Sequence, residues 1–248
     1  MSHEQEIQQL AQLLKNAKYI AVLTGAGMST ESGIPDYRST DGLYRTLTSE
    51  EVFDIDRFHH APQQFYQVIG PLYTSIVQAQ PNAGHLALHE LEERCGKTVH
   101  IATQNIDGLH QKAGSKHVYE VHGTMHTLTC LKCRHQTTDD VHLADFQAGK
   151  TVFCEKCGGL MKPDITFYGE SLPEEAFTRS MKAFRSCDLA MVLGTSLVVY
   201  PAASLPSWRK DGVPLVILNR SHTAADNEAA LVVHAGIGDI LPEAVKLL

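Results

Sequence analysis

The sequence lacks any apolar run approaching the ~18 residues that cross a bilayer, which excludes a membrane-spanning helix from the reading. It also lacks a basic excess. Lys plus Arg is 21 against 28 Asp plus Glu, a net charge of −7, which argues against the basic face of a general nucleic-acid binder. Net charge is silent on patches, so a locally basic groove for a peptide stays open. The opening stretch MSHEQEIQQL has neither the basic region nor the apolar region of a secretory signal, so a cytoplasmic location is expected. Internal repeats and low-complexity tracts are missing, and an apolar fraction of 43% removes the disordered classes. Cysteine is sparse at six residues, and in a cytosolic chain these are poor disulfide partners. Cys95 and Cys187 stand alone and read as small buried apolar side chains.

What is present is a rhythm. The 248 residues suit one domain, or one domain carrying an inserted module. Ile7, Leu10, Ala11 and Leu14 fall at helical spacing, predicting a helix over 4–15. Residues 19–23 form a continuous apolar run, the pattern of a parallel strand covered on both faces. Helices are expected over 62–79, 83–94, 174–185, 202–210 and 240–248; strands over 98–103, 118–121, 189–193, 214–218 and 231–233. That alternation implies an α/β fold with a doubly wound parallel sheet. Between Met125 and Lys162 the rhythm breaks into short polar stretches with cysteines, which marks an inserted small module over 126–163.

Three motifs carry chemistry. The first, VLTGAGMSTESGIPDYR (Val22 to Arg38), leaves a buried strand through Gly25-Ala26-Gly27 and continues with Ser29, Thr30 and Ser32 as candidate helix caps. Such a turn lets backbone approach a diphosphate closely. The third glycine of the common dinucleotide fingerprint is absent, Thr30 standing in its place, so the loop alone fits an unliganded turn equally well. The second is TQNIDGLH (Thr103 to His110) followed by Val121-His122-Gly123. An apolar strand delivers His122 beside a glycine, which suits a general base as well as a plain loop residue. His110 and His117 read as solvated loop residues. The third is Cys130-x2-Cys133, 20 residues, then Cys154-x2-Cys157. Four thiolates in that spacing close a tetrahedral zinc site with no open position, hence a structural zinc-binding module. His126 and His135 flank it as bystanders.

Taken in order, these motifs resemble the sirtuins, the NAD-dependent protein lysine deacylases, in a compact bacterial form and over nearly the whole chain. The resemblance implies a Rossmann-like NAD-binding part with a helical cofactor-loop module around 36–80. It assigns NAD contacts to Gly25, Ala26, Gly27, Ser29, Asp36, Tyr37, Arg38, Gln104, Asn105, Ile106 and Asp107. Gly194-Thr195-Ser196, Asn219-Arg220 and Ile237 complete that set. His122 and Asn105 become the catalytic residues: the acyl-lysine oxygen attacks the nicotinamide ribose of NAD, and His122 deprotonates the ribose hydroxyls so that the acyl group passes to ADP-ribose. Nicotinamide and O-acyl-ADP-ribose are the expected products. Thr166, Phe167, Gly169 and Glu170 on one side, and Leu197 and Val199 on the other, would hold an extended acyl-lysine peptide. The chain departs from the usual pattern at Tyr37 and Tyr168, where sirtuins carry Phe, and at Thr166, where they carry Val. Tyr44 and Arg45 border the expected acyl channel, and their spacing does not match the desuccinylating sirtuins, which favours acetyl and longer apolar groups.

Other classes share parts of this pattern. A hydride-transfer NAD oxidoreductase would share the sheet and glycine loop, a nucleotide-sensing zinc module would lack catalysis, and a mono-ADP-ribosyltransferase would share the cofactor chemistry. The polar residues at 104–107 and 122 favour deacylation among these.

Overall fold

The computed structural model describes residues 2–35 and 49–248. Nine strands are found among them: β1 (Tyr19–Thr24), β2 (Thr98–Thr103), β3 (His117–Glu120), β4 (Gly123–Cys130), β5 (Gln136–Thr138), β6 (Met161–Ile165), β7 (Leu189–Leu193), β8 (Leu215–Leu218) and β9 (Leu231–Val233). Six of them form a parallel sheet in the order β3-β2-β1-β7-β8-β9. The expected doubly wound α/β fold is therefore present.

Alternating side chains of the apolar runs serve opposite faces of this sheet. Ile20 and Val22 of β1, with Met191 and Leu193 of β7, pack under the helices His3–Asn16, Ala83–Glu93 and Ile237–Lys246. Ala21 and Leu23, with Ala190 and Val192, face the helix Glu174–Ser186 and the 3-10 segment Ala202–Trp208. That double coverage explains why these strands read as unbroken apolar runs.

The boundaries shift where local chemistry intervenes. A helix expected over 202–210 is a 3-10 segment, because Pro206 lies inside it and supplies no amide donor. The last helix begins at Ile237 rather than 240, immediately after Gly236. The strand expected over 118–121 spans His117–Glu120, leaving Val121 and His122 in the turn that precedes β4.

The segment without rhythm holds a second sheet, antiparallel, in the order β5-β4-β6. Its core joins Leu128, Cys130, Cys154 and Met161 to the aromatic side of the helix Pro62–Gln78, where Phe65, Tyr66 and Tyr73 meet Phe58, Phe146 and Phe167. Tyr66 ties the two parts by donating its hydroxyl to the Met161 carbonyl at 2.8 Å.

Candidate active site

The parallel sheet changes direction between β1 and β7. The chain builds outward from β1 through β2 and β3, then returns to β7 and builds the other way. Loops leaving the carboxyl ends on either side of such a switch diverge and open a crevice. Here the two loops are glycines packed back to back. The Gly25 amide donates to Leu193 O at 3.1 Å and the Gly27 amide to Gly194 O at 2.9 Å. Gly194 has φ of 64°, and a Cβ there would strike the Met28 nitrogen and the Gly27 carbonyl carbon. Gly194→Ala should therefore cost about 2–5 kcal/mol from left-handed strain plus overpacking. Urea denaturation reads this directly, and a wild-type midpoint would show that the loop gives way freely.

The crevice opens into a cavity of about 960 Å³. One wall is Gly25, Ala26, Gly27, Gln104, Asn105, Ile106, Gly194, Thr195 and Ser196, continuing to Asn219, Arg220 and Ile237. The other is the segment 165–172 after β6 with Val198, Val199 and Tyr200, and His122 lies on the lining as well. Across the mouth, Arg220 Nη2 stands 3.8 Å from Glu31 Oε1. The sites expected at Asp36, Tyr37, Arg38, Tyr44 and Arg45 lie outside the described residues.

Below the cavity floor the polar residues form one network. Asn105 Nδ2 donates to the Gly25 carbonyl at 3.1 Å and to Ser29 Oγ at 3.0 Å. Ser29 Oγ donates in turn to Asp107 Oδ2 at 2.6 Å, and Asp107 Oδ1 accepts the Leu109 amide at 3.0 Å. With its amide group engaged below, Asn105 has its Oδ1 as the acceptor for a ligand. Ser29 and Asp107, expected as cofactor contacts, are buried and lie outside the cavity lining in this structure; they hold Asn105. Gln104 Nε2 donates to Thr195 Oγ1 at 3.1 Å, bridging the two loops.

His122 Nδ1 lies 3.2 Å from the Gln104 carbonyl. A carbonyl only accepts, so Nδ1 carries the hydrogen and Nε2 of the neutral ring keeps its lone pair. Burial pulls the His122 pKa below its usual value, partly offset by that same hydrogen bond. The ring is thus a neutral base at pH 7.

His110 is not the solvated loop residue expected from its polar neighbours. It is 1% exposed, its Nε2 lies 3.1 Å from Thr24 Oγ1, and its ring packs on His85 with centroids 4.7 Å apart. Thr24 spends its own hydroxyl hydrogen on Thr103, so His110 is the donor in that pair. Burial holds both rings neutral, His85 falling to about 4 and His110 well below the usual value. His126 bonds to the Asp107 carbonyl at 3.1 Å, bracing the network from the other side. No local pattern announces this layer, since its partners are far apart in sequence.

On the opposite wall, Lys162 is the unforeseen organiser. Its buried ammonium pairs with Glu170 at 2.9 Å, donates to the Ile165 carbonyl at 2.7 Å and sits over the Phe167 ring. The Glu170 carboxylate also accepts the Phe167 amide at 2.8 Å, so this expected substrate contact serves first to shape the segment 165–170. Thr166, Phe167, Gly169, Glu170 and Val199 line the cavity; Leu197 does not, and is buried against the sheet with φ of 57°.

The four cysteines converge. Cys130 Sγ to Cys157 Sγ is 3.5 Å and Cys133 Sγ to Cys154 Sγ is 3.7 Å, with all four sulfurs within 4.8 Å of one another. A disulfide would bring sulfurs to about 2.05 Å; sulfurs at about 2.3 Å from one zinc would stand roughly 3.8 Å apart. The Cys133 amide donates to Cys130 Sγ and the Gly159 amide to Cys157 Sγ, as suits thiolates. A Cβ at Gly159 would crowd Cys130 Sγ and Cys157 Sγ, so the glycine keeps the cradle open. The donor set fits a structural zinc ion.

A family model described as the Sir2 family matches residues 25–201. The chain belongs to the Sir2 family. It is 41% identical over 246 residues to NAD-dependent protein deacylase 2 of Archaeoglobus fulgidus, covering 98% of this chain and 96% of that protein. It is 40% identical over 227 residues to an NAD-dependent protein deacetylase of Thermotoga maritima, covering 91% and 92%. Among solved structures, a Sir2 protein with a deacetylated p53 peptide and 3′-O-acetyl ADP ribose superposes with a TM-score of 0.91 at 36% identity, covering 97% of this chain and 98% of that one.

Proposed function

We propose that the chain is an NAD-dependent protein lysine deacylase, and one observation carries that reading: a single cavity joins the strand-switch crevice to the groove after β6, with the neutral base His122 on its lining. NAD supplies a labile nicotinamide–ribose bond and an ADP-ribose that receives the acyl group. Every other task falls to the protein. The glycine pair Gly25/Gly27 and Gly194 admits a diphosphate to backbone contact. Asn219, Arg220 and Ile237 receive the adenosine end. Gln104, Asn105 and Ile106 face the nicotinamide ribose, and Ser29 and Asp107 act through Asn105. His122 Nε2 takes a ribose hydroxyl proton.

The peptide belongs between segments 165–170 and 197–200 as an added strand, where backbone bonds give affinity with little demand on side chains. Exposed apolar side chains cluster at this mouth: Tyr168 at 37%, Val198 at 52% and Tyr200 at 73%. Apolar groups left open together mark a docking surface. Thr166 and Tyr168 tune the acyl channel, with acetyl and longer apolar groups as preferred cargo. Among the described residues no helix is long and apolar enough to cross a membrane. Four thiolates kept for zinc suit the reducing cytoplasm, and the acidic balance of the chain argues against nucleic acid as a partner.

Mass spectrometry of an acetyl-lysine peptide, incubated with and without NAD, tests the reading. NAD-dependent loss of acetyl with joint appearance of nicotinamide and O-acetyl-ADP-ribose is expected. NAD consumption with the acyl group untouched would instead favour ADP-ribosyl transfer, and formation of NADH would favour hydride chemistry.

A further inference from the structure

Beside the adenosine end of the cavity, three side chains converge from two strand ends. His222 and Asp226 lie in the loop after β8, and His234 directly follows β9. His222 Nδ1 is 3.0 Å from Asp226 Oδ2, and His234 Nε2 is 3.7 Å from the same oxygen. All three ligating atoms lie within 4.8 Å of one another.

The hydrogen bonds around this cluster fix what each atom can offer. His234 Nδ1 is 2.9 Å from the Asn219 carbonyl, so Nδ1 carries the hydrogen and Nε2 of the neutral ring bears a lone pair. With the ring neutral, that lone pair faces Asp226 Oδ2 at 3.7 Å, an arrangement completed by either a proton or a metal ion between them. Asp226 cannot turn away, because its Oδ1 accepts both the Thr223 amide at 3.2 Å and the Thr223 hydroxyl at 2.6 Å. A cation between the two groups satisfies both. Backbone carbonyls and hydroxyls that orient a histidine and a carboxylate in this way are the outer support of metal sites.

The geometry points to a second metal site, in which one divalent cation of borderline softness replaces the hydrogen between His222 Nδ1 and Asp226 Oδ2 and binds both atoms together with His234 Nε2. Ligands about 2.0–2.1 Å from such an ion stand roughly 3.3 Å apart, and the observed 3.0 and 3.7 Å bracket that spacing. The donors are two imidazoles and a carboxylate, which suit borderline divalent ions such as Zn²⁺, Co²⁺ or Ni²⁺. His222 is 88% exposed, so water completes the coordination and the ion exchanges readily. An ion there fastens the β8 loop, which carries Asn219 and Arg220 on the cavity wall, to the end of β9.

Nickel chloride titrated calorimetrically into tag-free protein with its cysteine site full of zinc tests this. One nickel per chain is expected, with an accompanying rise in melting temperature because the ion binds the folded state. His222→Ala and His234→Gln should each weaken nickel binding at least ~10-fold, and in His222→Ala zinc content and the melting temperature without nickel stay at wild-type values. His222 is a surface side chain, so that variant keeps the fold even if His234→Gln loosens the loop. Absence of stoichiometric nickel uptake by the wild type, or wild-type nickel affinity in His222→Ala, overturns the site.

Discussion

Replacing His122 by alanine should slow deacylation by about 10²–10⁴-fold, the range a positioned general base supplies, while NAD binding and the melting temperature stay near wild type. Three features set this expectation. The Gln104 carbonyl fixes the hydrogen on Nδ1, so Nε2 is the free base. Burial lowers the pKa, so the base is unprotonated at neutral pH. The ring is half-buried on the cavity lining, so its removal widens an existing opening rather than leaving an enclosed hole. The sign of the pH dependence follows. A base must be deprotonated to act, so kcat/KM should be flat near neutrality and fall as the pH drops below the usual histidine value of ~6.5. Stability should move in the same direction: the unfolded chain binds the proton more readily below that value, so acid favours unfolding until the folded ring also titrates. The variant should lose the acid limb together with the rate. Peptide turnover within a few-fold of wild type would remove His122 from the proton transfer. Lost NAD binding in a folded variant would make it a cofactor contact instead.

The parallel sheet was legible because burial on both faces writes itself as an apolar run, as at Tyr19–Thr24 and Leu189–Leu193. The second sheet was not. β4 mixes buried and half-buried positions irregularly and carries a register shift between Gly123 and Leu128, so no alternation survives in its sequence. Motifs at strand ends were readable because a strand end is a local event, and Gly25, Asn105, His122 and Gly194 stand where such ends predict. The layer beneath them depends on distant partners. Ser29 meets Asp107 across 78 residues and Thr24 meets His110 across 86, and polar neighbours in the chain made His110 look like surface. Glu170 stands on the cavity lining, and nothing local in the sequence reveals that Lys162 also pairs with its carboxylate. His222, Asp226 and His234 went unread for the same reason: the β8 loop and β9 bring them together, and their spacing matches no ligand motif.

Stripping zinc should lower activity at least tenfold, through the groove. The four sulfurs hold the turn after β4, Cys130–Cys133, against the turn Cys154–Cys157 that leads into β6. β4 and β6 are also the two strands that flank the proposed catalytic groove: the first begins at Gly123, directly after His122, and the second ends at Ile165, where the cavity-lining segment starts. Their last shared bond before the cavity is the Thr166 amide to the His122 carbonyl at 2.8 Å. Without the ion, Cys130 and Cys154 lose their common partner inside a core that also contains Leu128, Met161 and Phe167. A structural zinc contributes folding energy outright. A loss of several kcal/mol at roughly 2–4 °C per kcal/mol for a chain of this size lowers the melting temperature by about 10 °C or more. Cys154→Ser should reproduce most of that shift, since an alcohol is a poor replacement for a buried thiolate ligand. The parallel sheet is stabilised by its own two cores, so the NAD side should retain secondary structure while peptide turnover falls at least tenfold. Circular dichroism melts and peptide turnover before and after chelation, with zinc added back to restore both, measure the effect. A zinc-free protein with unchanged melting and full turnover would mean that the cysteines hold the module as thiols, and that the ion is dispensable to the groove.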